Sequence, residues 1–329
     1  MFDLYKLNLQ LFANNPTTNV TTDSGLSVEN KTFYDMKLIE LAQAALVHDQ
    51  FGQKRPIPAN GGKTIEFRQY ASLPKALTPL TEGVTPDGSK LSVTAITATV
   101  AQFGNYVTLS DILDLTAIDN NVLEATKACG RQAGLTLDTI TRNVLQSGTN
   151  VFYCSKSDGT AVSTRAGLDD SCVLTVDMVN KVVAFLKKNN APKINGDYVA
   201  IIHPLVAYDL MNDDRWIESH KYAQPENLYN GEIGKIGGVR FIESSEAKVY
   251  EGGVFGCLFL ADGAYGITEI PGGGLQTIVK QKGSAGTADP LDQRSSIGWK
   301  AMKTAEILIQ PYLVRVECKT ALKEFVEAN

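Results

Sequence analysis

The sequence predicts an α+β protein built on one long helix, with an inserted α/β unit and two extended appendages. Three observations carry this reading. Apolar residues from Leu115 to Val144 recur at steps of three and four, the period of a helix with one buried face. Two alternating, strand-like runs around residues 65 and 93 flank a stretch punctuated by Pro74, Pro79, Gly83, Pro86 and Gly88. Beyond Tyr153 a polar loop leads to a helical pattern and then a wholly apolar strand, the texture of a buried α/β unit.

At the N-terminus, Tyr5, Leu7, Leu9 and Leu11 alternate with Lys6, Asn8 and Gln10, the period of a half-buried strand. The polar run NNPTTNVTTDSGLS follows and has little to pack on itself. A strand on a polar tether needs a partner from elsewhere, and another subunit is the expected source. A disordered tail with a chance alternation is the alternative. Tyr34, Leu38, Leu41 and Ala45 then share one helical stripe, with Gly52 placed to end it. Residues 1–52 read as an arm and a helix.

Residues 53–109 read as an extended hairpin. Ile65 and Phe67 oppose Glu66 and Arg68, and Val93 and Ala95 alternate with Ser92 and Thr94. The tip carries Lys75, Glu82, Asp87 and Lys90 and is expected to be poor in large apolar groups and to make charged contacts on a neighbour. Arg131 and Arg142 of the long helix are its expected partners.

The long helix spans 110–146. Its stripe runs through Ile118, Val122, Ala125, Cys129, Ala133, Leu137, Ile140 and Val144. Asp119-Asn120-Asn121 is a candidate break, Gly148 a stop, and Gly130 and Gly134 predict close backbone approach on that face. In 155–270 the helix TVDMVNKVVAFLKKNN presents Val176, Val179, Val183 and Leu186. The strand YVAIIHP, the short helix LVAYDLM, and glycine-punctuated strands in GEIGKIGGVRFIES and CLFLADGAYGI follow. The last stretch predicts two long strands around Pro311, the second alternating Val314, Val316 and Cys318 with Arg315, Glu317 and Lys319. The α/β unit after Tyr153 reads as an insertion into the larger element.

Composition sets the function classes. The chain has 329 residues, 43% hydrophobic and 20% charged, with a formal net charge of −5, so no global positive field would hold nucleic acid. No run approaches the roughly 20 apolar residues of a membrane span. Asp3 and the interruptions at Lys6, Asn8 and Gln10 do not suit a secretory signal, so folding in the cytoplasm is expected. Cys129, Cys154, Cys172, Cys257 and Cys318 form no CxxC and are expected as buried thiols.

Catalytic motifs fare poorly. GGKT at 61–64 lacks the first glycine of a phosphate loop, where Ile57 stands, and precedes a strand. Gly231, Gly234, Gly237 and Gly238 do not make GxGxxG and read as turn residues. His203, Asp213, Asp214, Arg215 and His220 form one polar constellation open to a metal or acid/base reading. The competing reading has the aspartates capping or pairing with Arg215, and His203 ending a buried strand before Pro204.

Four segments carry a resemblance: LTEGVTP at 80–86, GRQAGLTLDTITRNVLQSGTNVFY at 130–153, GEIGKIGGVRFIES at 231–244 and DPLDQRSSIGWKAM at 289–302. They resemble tailed-bacteriophage major capsid proteins, in particular the subfamily whose chains open on an LNLQLFA-like arm, here 7–13. The resemblance implies the tailed-phage major-capsid fold: an N-terminal arm and helix (1–52), an extended hairpin loop (53–109), a peripheral domain with a long spine helix (110–154 and 271–329), and an inserted axial domain (155–270) near capsomer centres. It implies self-assembly into pentamers and hexamers of an icosahedral shell around double-stranded DNA contacted non-specifically. No catalytic residue, cofactor, metal or membrane is implied. Because the chain begins at its arm, any scaffold is expected to be a separate protein, and portal and decoration proteins are further possible partners. Tyr5, Leu7, Leu9, Leu11, Glu82, Asp87, Lys90, Arg131 and Arg142 are the expected inter-subunit contacts. An encapsulin-type shell enclosing cargo enzymes, and less plausibly an α/β enzyme, are the alternatives.

Overall fold

The computed structural model describes residues 46–56, 62–70, 73–80, 82–85, 87–116, 121–220, 234–269, 273–284, 289–326 and 329. The N-terminal strand pattern and most of the first predicted helix lie outside them. The end of that helix does not: residues 48–51 are a turn, which leads into strand β1 (Gln53–Pro56).

Strand β1 does not belong to the hairpin. It pairs in parallel with β11 (Tyr265–Glu269), which pairs with β14 (Ala305–Ile307) in a three-stranded sheet. The free hairpin is β2 (Thr64–Tyr70) and β3 (Val93–Thr99), joined in register with Phe67 opposite Ile96. Phe67 is the buried residue of β2, as the alternation predicts. On β3 the parity is reversed: Ala98 is buried and Ile96 half-buried, while Val93 and Ala95 are exposed. Phe67 meets Gly266 of β11 near the hairpin's base, while farther out the two strands are exposed, so apolar residues there need not face a core.

Next, β4 (Ala101–Ser110) pairs along its length with β13 (Arg294–Lys303), whose other neighbour is β12 (Gln276–Lys280). Helices α1 (Asp111–Thr116) and α2 (Asn121–Gln146) follow, so the long helix restarts at the predicted break. From Cys129 the stripe is as read: Cys129, Ala133 and Leu137 pack with Trp299 and Ala301 of β13, and Gly130 and Gly134 are buried on the same helix. Leu115, by contrast, is exposed on α1.

The insertion builds a seven-stranded sheet in the order β5-β15-β10-β6-β8-β7, with β9 (Val249–Tyr250) beside β10 (Val254–Leu260). Its strand β6 (Tyr198–Ile202) is buried throughout and feeds two cores. Tyr198, Ala200 and Ile202 pack with helices α3 (Val176–Lys188) and α4 (Pro204–Met211), while Val199 and Ile201 pack with Leu145 of α2, Tyr265 and Leu313. A strand covered on both faces needs no alternation, which is why YVAII is continuously apolar. Between β7 (Lys235–Ile236) and β8 (Val239–Glu243), Gly237 and Gly238 have φ of 62° and 81°. That is the left-handed pair a two-residue hairpin turn demands, so these glycines are turn residues as read.

The C-terminal stretch departs from expectation. In place of two long strands there are β13, the short β14, a 3-10 turn at Gln310–Tyr312 and β15 (Leu313–Cys318). Moreover β15 lies inside the seven-stranded sheet, antiparallel to β10 and parallel to β5 (Val151–Tyr153), so the segments 151–153 and 313–318 complete the inserted unit. Local pattern gives a strand's period but not its partners.

Candidate assembly surfaces

Between β2 and β3 every described residue from 73 to 92 is exposed. Glu82, Asp87 and Lys90 stand there as read. The expectation of few large apolar groups is overturned, because Leu73, Leu77, Leu80, Val84 and Leu91 are 54–82% exposed. Fully burying such a side chain is worth roughly 1.5–3 kcal/mol, so the tip offers far more on docking through its aliphatics than through exposed ion pairs. The signal was in the sequence, masked by the prolines among which these residues are spaced.

The two arginines expected to receive the tip differ. Arg131 is exposed on α2. Arg142 is 3% exposed, its Nη1 donates to the Glu246 carbonyl at 2.7 Å, and its Nη2 donates to Asn143 Oδ1 at 3.3 Å. Burial lowers its pKa, against the fields of Glu246 and Asp138. It clamps the turn before β9 onto α2 and is not available to a neighbour. Tyr5, Leu7, Leu9 and Leu11 lie outside the described residues.

Where the chain enters β1, a buried polar cluster fixes it to the long helix. The His48 backbone N–H donates to Asp138 Oδ1 at 2.8 Å and His48 Nδ1 lies 2.7 Å from Asp138 Oδ2, both side chains wholly buried. Thr141 donates to Asp49 Oδ1 at 2.6 Å, and Tyr265 hydrogen-bonds to the His48 carbonyl. Lys303 pairs with Asp49 and donates to the Leu137 carbonyl at 2.8 Å. Burial lowers the Lys303 pKa, opposed by the Asp49 carboxylate. His48 and Asp49 are thereby fixed to α2 just ahead of β1.

The polar constellation resolves into helix starts. His203 Nδ1 accepts the Leu205 N–H at 3.2 Å at the beginning of α4. Asp213 Oδ2 accepts the Val176 N–H at 2.9 Å, and its Oδ1 accepts the Arg215 N–H at 2.9 Å where α5 (Asp214–His220) begins. Arg215 lies 3.7 Å from Asp177, and Asp214 sits in the first turn of α5. Among the described residues no group of three His, Cys, Asp or Glu side chains is placed to hold a metal. The five thiols are free and buried, with Cys257 and Cys318 sulfurs 3.8 Å apart. A cavity of about 820 Å³ is bordered by Arg165, Lys248, Tyr250 and Lys319. Its cations are already engaged, by Glu317, the Asn329 carbonyl and Asp170.

These are surfaces and braces, and sequence comparison says whose they are. The phage capsid protein family matches residues 93–308, well over half of the chain. The chain belongs to that family. It is a phage capsid protein, a structural subunit of the virion shell that associates with copies of itself. No curated protein sequence matches it. Among solved structures, this capsid protein is similar to the capsid of cyanophage P-SCSP1u, with 13% identity, TM-score 0.65, and 82% of this chain and 87% of that one covered. For the capsid of cyanophage Pam1 the values are 13%, 0.65, 80% and 86%. An encapsulin of Synechococcus elongatus shares the fold at 11% identity and TM-score 0.52, covering 85% of this chain and 89% of that one. The mixed helix-and-sheet capsid fold expected from the resemblance is the fold observed.

Proposed function

We propose that this capsid protein builds the pentamers and hexamers of an icosahedral head enclosing double-stranded DNA, and that it catalyses no reaction. The observation that carries the reading is the hairpin: its base packs on β11 through Phe67, while the described residues of its apolar tip, 73–92, are all exposed and have a use only on a neighbour. Residues 155–270, closed by β5 and β15, would form the axial unit near capsomer centres. The sheet β12-β13-β4 with α2 would form the peripheral unit, and the strand pattern at Tyr5, Leu7, Leu9 and Leu11 would dock on another subunit. Each contact is modest, and many neighbours multiply it through effective concentration. Assembly would take place in the host cytoplasm with separate scaffolding and portal proteins. With a net charge of −5, DNA contact would be weak, sequence-independent and quickly lost as salt rises.

The test is assembly of the purified full chain, followed by negative-stain microscopy and mass measurement. Closed shells with fivefold and sixfold capsomers are expected. Deleting residues 1–24 should leave a soluble subunit that fails to close shells. A full chain that stays monomeric under all assembly conditions would overturn the proposal.

A further inference from the structure

Four of the five thiols share one core, on the face of the seven-stranded sheet that packs with α3 and α4. They come from four places in the chain: Cys154 just past β5, Cys172 in the loop before α3, Cys257 in β10 and Cys318 at the end of β15. Cys318 stands between two others. Its thiol hydrogen-bonds with that of Cys154, and its sulfur lies 3.8 Å from that of Cys257. These contacts, the Cys154 one foremost, together with burial push the Cys318 thiol well above the ordinary cysteine range.

Ladder geometry separates the two neighbours. In the antiparallel pair β10–β15, Cys257 stands opposite Val316 and Cys318 opposite Phe255, so these two cysteines are diagonal. Diagonal positions lie about 7–8 Å apart, at or beyond the roughly 7 Å between Cα atoms that a disulfide tolerates. On its other side β15 runs parallel to β5, with Glu317 opposite Tyr153 and the Cys154 N–H donating to the Glu317 carbonyl at 3.0 Å. Cys154 and Cys318 therefore occupy the next step of that ladder. Neighbouring strands lie about 4.8 Å apart, inside the disulfide range of roughly 4.4–6.8 Å.

We propose that Cys154 and Cys318 join in a disulfide once the subunit leaves a reducing environment, locking the inserted unit at the points where the chain enters and leaves it. Cys154 leads into a polar loop whose residues 157–161 are exposed, and local opening of that loop uncovers its sulfur. The Cys154 thiolate attacks a small organic disulfide, one small thiolate leaves, and a mixed disulfide remains on Cys154. The Cys318 thiolate then attacks the Cys154 sulfur and expels the second small thiolate. Two protein thiols are oxidised, one small disulfide is reduced to two thiols, and the two protons end on the expelled sulfurs. In the closed core the neutral, covered thiols stay reduced, so the bond waits for an oxidising medium. Only this timing rests on the reading of the chain as a virion subunit, made inside a cell and then released.

The purified full chain, before and after incubation with oxidised glutathione, is denatured in iodoacetamide and mapped by mass spectrometry. The reduced chain should carry an alkyl group on each of its five cysteines. After oxidation Cys154 and Cys318 should escape alkylation and appear in one joined pair of peptides, with a melting temperature raised by about 5–10 °C. C257A should form the same bond, whereas C154A should keep every remaining thiol and show no rise. Full alkylation after oxidation, or a bond from Cys318 to Cys257, would overturn the pairing. A bonded chain with an unchanged melting temperature would overturn the lock. None of these readouts involves shells, so failure to assemble would count against the proposed function alone.

Discussion

Arg165 grips Glu317 across 152 residues of sequence, its Nε and Nη2 donating to the two carboxylate oxygens at 2.7 and 2.5 Å. Glu317 is wholly buried in β15, and Arg315 Nε lies 3.0 Å from it on the other side. The Arg165 guanidinium also lies 3.6 Å over the Tyr250 ring. A surface loop is thereby tied to β15, the strand next to the β5 edge of the seven-stranded sheet.

Removing one partner of a buried pair strands the other. Arg165→Ala should lower subunit stability by about 3 kcal/mol, the low end for such breaks, because Arg165 is 40% exposed and Arg315 remains. Glu317→Gln should cost less, since a neutral amide needs no counter-charge. Urea unfolding midpoints of the unassembled subunit provide the check, and equal midpoints for wild type and Arg165→Ala would contradict it.

Lys303 and Asp49 allow a cleaner version of the same experiment. Lys303→Met alone leaves Asp49 short of its cation at the root of the chain, and a loss of about 3 kcal/mol is expected. Adding Asp49→Asn should recover much of it, because an intact buried pair contributes little over neutral packing. The coupling energy of the double-mutant cycle is the readout, and strictly additive losses would refute it.

His203 should make stability depend on pH. Burial holds its pKa below the ordinary histidine value, so the folded state favours the neutral ring that accepts the Leu205 N–H. The unfolded chain therefore binds the proton first. This contribution is complete above pH about 6.5 and falls as the solution is acidified toward the lower folded value. Asparagine keeps a capping oxygen. His203→Asn should thus flatten this component of melting temperature between pH 5 and 7.5, and parallel profiles for the two proteins would count against the assignment.

Gln146 closes the end of α2 onto β10. Its Nε2 donates to the Gly256 carbonyl at 2.7 Å and its Oε1 accepts the Tyr250 hydroxyl at 3.0 Å. A methyl at 256 would stand 2.6 Å from Oε1. Gly256→Ala should destabilise by about 1–3 kcal/mol through overpacking. Gln146→Ala in the same background should relieve part of that, measured again by urea midpoints.

What the sequence discloses tracks how local the cause is. The stripe of Cys129, Ala133 and Leu137, the buried run of β6 and the turn glycines 237 and 238 each follow from neighbours within a few residues, and all were legible. So was the capping role of Asp213, because helix starts recruit short acidic side chains. The buried task of Arg142, the Arg165–Glu317 grip and the place of β15 depend on partners far away in the sequence, about fifty residues at the nearest. No period or motif announces such a partner. The parity of β3 was misread because the rule that apolar residues face inward presumes a core, and a projecting hairpin has almost none.

Strand β15 has a consequence for synthesis. It fills the space between β5 and β10, and it is the last strand of the described chain. While residues 155–270 emerge from the ribosome, β10 has β6 and β9 but lacks its longest partner, and the buried Glu317 pair does not yet exist. At about 5–20 residues per second, the wait for residues 313–318 lasts a few seconds. A nascent or prematurely terminated chain therefore cannot complete the unit that would sit nearest the capsomer axis. Chains that stop before residue 313 lack the strand that joins β5 to β10, so the order of the strands makes completion of this sheet wait on β15.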